Sequence, residues 1–190
     1  MTVHLIALAG SIRKDSYNKK LVKSAAQLAE EAGAKVTFID MADYPLPLYD
    51  GDLEESQGLP ENALKLKKIF TEGDGFIFAS PEYNSAISGP FKNLIDWVSR
   101  PERDEPGTLP FQKKLALLLS ASPGALGGLR GLVSLRSILG NIGVLVLPQQ
   151  VTVRQAFEAF DESGALKDEK KTKQLKEAVL PLVEIASKLS

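Results

Sequence analysis

Ser11, Arg13, Ser16 and Asn18 stand close together in the stretch GSIRKDSYN. Two hydroxyls, an amide and a forked guanidinium make a donor set suited to surrounding a phosphate monoester. The stretch follows an apolar run, Val3 to Ala9, and leads into a helix-period pattern, so it reads as a strand-to-helix turn. Helix N-termini present unpaired N–H groups and a positive dipole end, which favours an anion there. The plainer alternative is that Asp15 or Ser16 only caps the helix and Arg13 is a surface residue. Composition leaves both open. The stretch contains neither G-x-G-x-x-G nor G-x-x-x-x-G-K-[ST], so the dinucleotide and P-loop readings lose ground.

Two further turns have unusual chemistry. In SPEYNSAISGP, Pro81 stiffens the backbone, Tyr83 offers an aromatic surface, and Asn84 supplies donors and an acceptor for a heterocycle edge. Ser88 and Pro90 are a conventional helix start, and a turn followed by a helix start is the alternative reading of the whole stretch. Glu82 is either a buried acid or the partner of a neighbouring helix. In SASPGALGGLRG, Gly124, Gly127 and Gly128 allow backbone to approach a flat ligand. Arg130 sits near that site or faces solvent. Asp96 and Trp97 read as packing or interface residues.

The elements that must position these turns are legible as alternating patterns. Strands are expected at Val3 to Ala9, Lys35 to Asp40, Gly75 to Ser80, Leu115 to Leu119 and Val144 to Leu147. Helices are expected from Ser16 to Ala32, from Pro60 to near Gly73, from near Pro90, from Leu129 to Ile142, and through Leu175 to Leu189 with a break or kink at Pro181. Lys167 to Lys176 mixes both charge signs and reads as a solvated helix start. Met41 to Leu59, with YPLPLYDGD at its centre, is a long connection of the kind that is usually functional or flexible. Strand–helix alternation predicts one α/β domain over residues 1–190, a doubly wound five-stranded parallel sheet with helices on both faces. In such a sheet ligands bind beyond the carboxyl ends of the strands, where the three unusual turns lie.

Composition removes several classes of function. The 190 residues carry a net charge of -1 and no basic stripe, which argues against a nucleic-acid partner. With no cysteine, disulfides and thiolate chemistry are excluded, and the single histidine, His4, rules out multi-histidine metal sites. His4 begins the first strand, an edge or surface position. No apolar run approaches membrane-spanning length and no secretory signal is visible, so a cytoplasmic protein with no membrane partner is expected.

Together GSIRKDSYN, PEYNSAISGPFKNLIDWVSRP and SASPGALGG resemble the NADPH-dependent FMN reductase family, flavodoxin-like proteins that include bacterial quinone, chromate and azo-dye reductases. The resemblance implies strand order 2-1-3-4-5, with bound FMN as cofactor and NADPH or NADH as co-substrate. By it, Ser11, Arg13, Ser16 and Asn18 hold the FMN phosphate, and Tyr17 joins the cofactor-binding residues. Pro81, Glu82, Tyr83 and Asn84 line the isoalloxazine and ribityl region, and Ser120, Ser122 and Gly124 cover the pyrimidine side. Ala121 departs from a hydroxyl residue common in the family, so any contact there must come from backbone. Hydride passes from NAD(P)H to the flavin, and a small acceptor (quinone, chromate, azo compound, ferric chelate or flavin) takes two electrons. No side chain is required as acid or base. Backbone N–H groups of the glycine turn are placed to stabilise an anionic reduced flavin. The resemblance also implies a homodimer or homotetramer, with YPLPLYDGD as a segment able to close a neighbour's site. A basic cluster for a 2′-phosphate has only Arg100, Arg103 and Arg130 as candidates.

Three other readings use the same residues. A flavodoxin-type one-electron carrier is usually strongly acidic and has a first turn rich in Thr and Gly, unlike this chain. A hydrolase or transferase needs a nucleophile or acid–base pair near the first turn, where Asp15 is the only carboxylate. A regulatory protein that binds FMN without turnover is compatible with every residue named.

Overall fold

The structure is a computed structural model that describes residues 2–102 and 104–189; Arg103 lies outside the described residues. In chain order the elements begin β1 (His4–Ala9), α1 (Tyr17–Glu31), β2 (Lys35–Ile39), α2 (Gly51–Gln57), α3 (Glu61–Glu72) and β3 (Gly75–Ala79). They continue β4 (Glu82–Tyr83), β5 (Ala86–Ile87), α4 (Gly89–Val98), β6 (Leu115–Ala121), α5 (Leu129–Asn141), β7 (Leu145–Val153) and α6 (Glu169–Leu189). Five strands form a parallel sheet in the order β2-β1-β3-β6-β7, while β4 and β5 pair separately. Leaving that hairpin aside, the order is the expected 2-1-3-4-5, and the fold is flavodoxin-like.

Alternation along the strands divides the core in two. Leu5, Ala7, Ile77, Leu117 and Leu119 face α1 and α6, meeting Leu21, Val22, Ala25, Leu175 and Val179. Ile6, Leu8, Phe76, Phe78 and Leu118 face the other way, toward Leu66, Phe70, Phe91, Leu132 and Leu135 of α3, α4 and α5. Each large side chain sequestered this way contributes about 1.5–3 kcal/mol. Because both faces are covered, strand residues are apolar without interruption, which is why the strands read as continuous runs.

Three local features differ from expectation. A hairpin occupies residues 82–87, and its turn residues Asn84 and Ser85 have φ of 51° and 65°. Both are left-handed, as a type I′ turn requires. The long connection is partly ordered by a 3-10 turn at Met41–Asp43 and by α2. The last strand extends to Val153, past Pro148. Between the Ala116–Val146 and Leu118–Gln150 pairs, two steps on β6 meet four on β7, and the missing N–H of Pro148 falls in that irregularity. Helix α6 runs through Pro181 without a break, which removes one of the two alternatives expected there.

Two polar residues tie elements together away from the site. His4 bridges β2 and the end of α3, through Thr37 Oγ1 at 2.8 Å and the Glu72 carbonyl at 3.2 Å. Lys114 Nζ donates to the carbonyls of Phe70, Thr71 and Gly73 and so closes the C-terminal end of α3. Burial pushes its pKa down to about 8 against the opposing pull of Asp74.

Candidate functional site

The first turn leaves β1 at Gly10, whose position requires a glycine. A Cβ there would stand 2.5 Å from the Phe91 ring. The Ser88 hydroxyl donates to the Gly10 carbonyl at 2.5 Å and accepts from Phe91 N–H at 3.2 Å, so one side chain caps α4 and pins the turn. Ser11 Oγ accepts from the Arg13 N–H at 3.3 Å, which leaves its proton free to donate outward. Ser16 is the N-cap of α1 but makes no side-chain capping bond, and no acid lies in the first turn. Among the described residues α1 is the only α-helix with neither a side-chain cap, nor an acid in its first turn, nor a carboxylate bonded to its first N–H groups, although Asp15 stands just before its N-cap. Asp50, Glu61, Ser88, Glu82 and Asp168 serve the others. Arg13 and Lys14 are exposed, and Tyr17 is half-buried, stacked against Phe160.

Asn18 is buried and performs a task that the sequence does not reveal. Its Nδ2 donates to the Ala121 carbonyl, and its Oδ1 accepts from the Ala121 N–H, both at 2.9 Å. This pair fastens the start of α1 to the end of β6, leaving one amide proton for other use. It also occupies the backbone of Ala121.

The second turn is the β4–β5 hairpin. Pro81 is half-buried, and Tyr83 stands outward, 54% exposed. Asn84 is exposed at the tip. Glu82 points the other way: its carboxylate accepts from the N–H groups of Arg130 (3.0 Å) and Gly131 (3.2 Å) and from Arg130 Nε (3.1 Å). It therefore caps α5, and of the two readings of Glu82 the helix partner is the one observed. Gly131 allows this contact, since a Cβ there would meet Glu82 Cβ at 3.2 Å.

The third turn follows β6. Ser120 is fully buried and donates to the Ser80 carbonyl at 2.7 Å, joining the ends of β3 and β6. Its hydroxyl lies where a Cβ on Gly128 would be, and Gly128 has φ 87°, so glycine is required twice over. Ser122 Oγ accepts from the Gly124 N–H at 3.2 Å, leaving both at the open rim.

The first two turns line adjoining clefts at the carboxyl edge of the sheet, while the third turn, with Ser120, Ser122 and Gly124, lines neither of them. One, about 280 Å³, is lined by residues 10–13 with Pro81, Tyr83 and residues 88–90. It brings together Ser11, Arg13, Pro81 and Tyr83 of the expected set. The other, about 520 Å³, shares Ile12, Gly89 and Pro90 and is otherwise walled mainly by Met41, Tyr44, Leu46, Leu48 and Leu94. Pro90, expected only as part of a helix start with Ser88, lines both clefts, as does Gly89. A Cβ at Gly89 would meet nothing within 4 Å, so its bareness keeps space open between the clefts.

The segment YPLPLYDGD supplies this second wall and is held by its own chain. The Pro47 carbonyl accepts from Trp97 Nε1 (2.9 Å) and Asn93 Nδ2 (2.8 Å), and Tyr49 packs edge-on to Trp97. Arg100 lies over Tyr49 and donates to the Asp96 carbonyl; Arg130 pairs with Glu82. Neither of these two arginines stands free. In the first turn of α1, the buried Lys19 pairs with Asp40 at 2.7 Å. Burial alone would raise the Asp40 pKa, but the Lys19 hydrogen bond, the Ala42 N–H and the charges of Lys19 and Lys23 hold it below the usual range. No group of three or more acidic or histidine side chains among the described residues is placed for a metal, and no helix is long and apolar enough to cross a membrane.

The family model for NADPH-dependent FMN reductase matches residues 3–158. The chain is 34% identical to an NAD(P)H:quinone oxidoreductase of Solanum tuberosum, covering 98% of this chain and 94% of that relative. It is 33% identical to an NAD(P)H-dependent FMN reductase of Pseudomonas aeruginosa, with coverages of 88% and 86%. Among solved structures, the flavoenzyme NAD(P)H:(acceptor) oxidoreductase FerB from Paracoccus denitrificans superposes with a TM-score of 0.83 at 31% identity, covering 98% of each chain.

Proposed function

The chain belongs to the NADPH-dependent FMN reductase family, and from that premise we propose that the adjoining clefts seat FMN and a quinone-like acceptor. It is an oxidoreductase, with FMN as its cofactor and NADPH or NADH as reductant. The observation that carries the site assignment is the donor set at the first turn. Ser11 and Arg13 line the smaller cleft, and the N-terminus of α1 that follows them has neither a side-chain cap nor an acid in its first turn; Ser16 and the exposed Asp15 line the neighbouring hollow with Lys14 and Lys19. That set fits a terminal phosphate, which needs several donors and a positive field. The aromatic face of Tyr83 and the rigid Pro81 fit a flat ring system beside it.

When bound, FMN supplies the redox chemistry, accepting hydride from NAD(P)H and delivering two electrons to the acceptor. The protein's part is to hold and orient. Ser11, Arg13 and Ser16 anchor the phosphate end, while Asn18 acts chiefly by locking α1 to β6. Tyr17 supports the turn from behind through Phe160. Pro81, Tyr83 and Asn84 form one wall, with Ser122 and Gly124 at the opposite rim. Ser120 and Glu82 shape the site from beneath, by bonding the Ser80 carbonyl and the start of α5.

The apolar lining of the larger cleft, mainly Met41, Tyr44, Leu46, Leu48 and Leu94, favours a flat apolar acceptor over a small oxyanion. We therefore put quinones ahead of chromate, azo compounds, ferric chelates and free flavin. The same proposal takes the whole chain as one FMN-binding domain acting in the cytoplasm as a homodimer or homotetramer. The exposure of Ile12 and Leu48 at the rim supports a neighbouring subunit there, and light scattering tests it. Steady-state oxidation of NADPH and NADH with a panel of these acceptors tests the chemistry. Quinones are expected to give the highest kcat/KM; chromate outpacing every quinone would overturn the acceptor assignment.

A further inference from the structure

The start of α5 stands at the ligand edge of the sheet, immediately after the glycine turn, where an undisturbed helix N-terminus would favour negative charge. It is not undisturbed. Glu82 is the residue between Pro81 and Tyr83, both of which line the smaller cleft, and its side chain turns behind that wall onto α5. There the carboxylate takes two first-turn N–H groups, while only 11% of its side chain remains exposed. Its cationic partner, Arg130, binds through Nε alone and is 62% exposed, so solvent weakens that compensation. The wall thus carries a largely sheltered negative charge whose neutralising partner is mostly in water.

We propose that Glu82 is an electrostatic positioning residue that holds down the reduction potential of the bound flavin. Resting on the FMN assignment above, it does so by cancelling the positive pole of α5 and adding a sheltered carboxylate behind the cleft wall. Reduction places negative charge on the flavin, and a nearby carboxylate disfavours that charge. A lower potential makes the reduced cofactor the stronger donor to an acceptor.

Two variants separate this from a role in packing alone. Glu82→Gln keeps an acceptor oxygen for the α5 N–H groups and removes the charge. Arg130→Gln removes the exposed cation and leaves the carboxylate in place. The midpoint potential of bound FMN, measured by anaerobic spectroelectrochemistry, is expected to rise in the first and to fall by a smaller amount in the second, because the Arg130 charge is already screened. For Glu82→Gln the expected shift is about tenfold in the oxidised-to-reduced equilibrium, about 30 mV for a two-electron couple. Opposite signs are the signature, because lost packing has no reason to move the two variants apart. Potentials that are unchanged, or that move the same way in both, would overturn the proposal. If Glu82→Gln does not fold, Arg130→Gln alone decides it, with an unchanged or raised potential counting against it. Failure of the parent protein to retain FMN would instead sink the cofactor site and the proposal with it.

Discussion

Replacing Arg13 with alanine should weaken FMN binding about tenfold. The Arg13 side chain is exposed, and among the described residues the only bond its residue makes is from the backbone N–H to Ser11 Oγ, so truncation leaves no orphaned group and the turn should keep its shape. A hydrogen bond to a charged group is worth about 1.5–3 kcal/mol, and solvent screening at an exposed guanidinium puts Arg13 at the lower end. That corresponds to roughly one decade in affinity. The assay is quenching of FMN fluorescence on titration with apoprotein, repeated across ionic strength. The parent should lose affinity steeply with salt and the variant less so. Arg13→Lys should fall between them, keeping the charge but not the fork. If Arg13→Ala binds FMN within about twofold of the parent and shows the same salt dependence, the phosphate lies elsewhere.

Other consequences follow from the same geometry. Gly89→Leu places a side chain where nothing stands within 4 Å, between the two clefts. The melting temperature should hold or rise while FMN affinity or quinone KM worsens by about tenfold, read by titration and kinetics. Asn18→Ala strips both backbone bonds from Ala121 and should cost about 3 kcal/mol of stability in denaturant unfolding, largely independent of FMN. For Lys114, the folded pKa of about 8 lies below the ordinary 10.5, so the unfolded chain binds more protons between those values. Its contribution to stability should therefore rise with pH across that window, by at most about 1.4 kcal/mol per unit. Denaturation curves at pH 8 and above, compared with Lys114→Met, check the slope, which the variant should lose.

How far the sequence reveals this protein depends on the range of each interaction. The strands of the sheet are legible because two-sided burial makes them continuous apolar runs, and the helices because one stripe of each faces a sheet. The β4–β5 hairpin escapes because its strands, Glu82–Tyr83 and Ala86–Ile87, are too short for any period, and Ser85 stands where a glycine would have announced the turn. Pro148 masks the second half of β7, since a proline argues against a strand unless an irregularity absorbs it. Of the candidate site, the grouping of Ser11, Arg13, Pro81 and Tyr83 along one cleft is readable because they lie on turns that end neighbouring strands. The duties of Asn18, Ser120 and Glu82 are not. Their partners, Ala121, Ser80 and Arg130, lie 40 to 103 residues away and meet them only when the sheet forms.

The most direct test of the whole account is reconstitution. Apoprotein supplied with FMN should take up one flavin per chain and, only then, oxidise NAD(P)H in step with quinone reduction. Quinone-dependent oxidation that proceeds without FMN, or a chain that binds FMN yet turns over no quinone with either nucleotide, would contradict it.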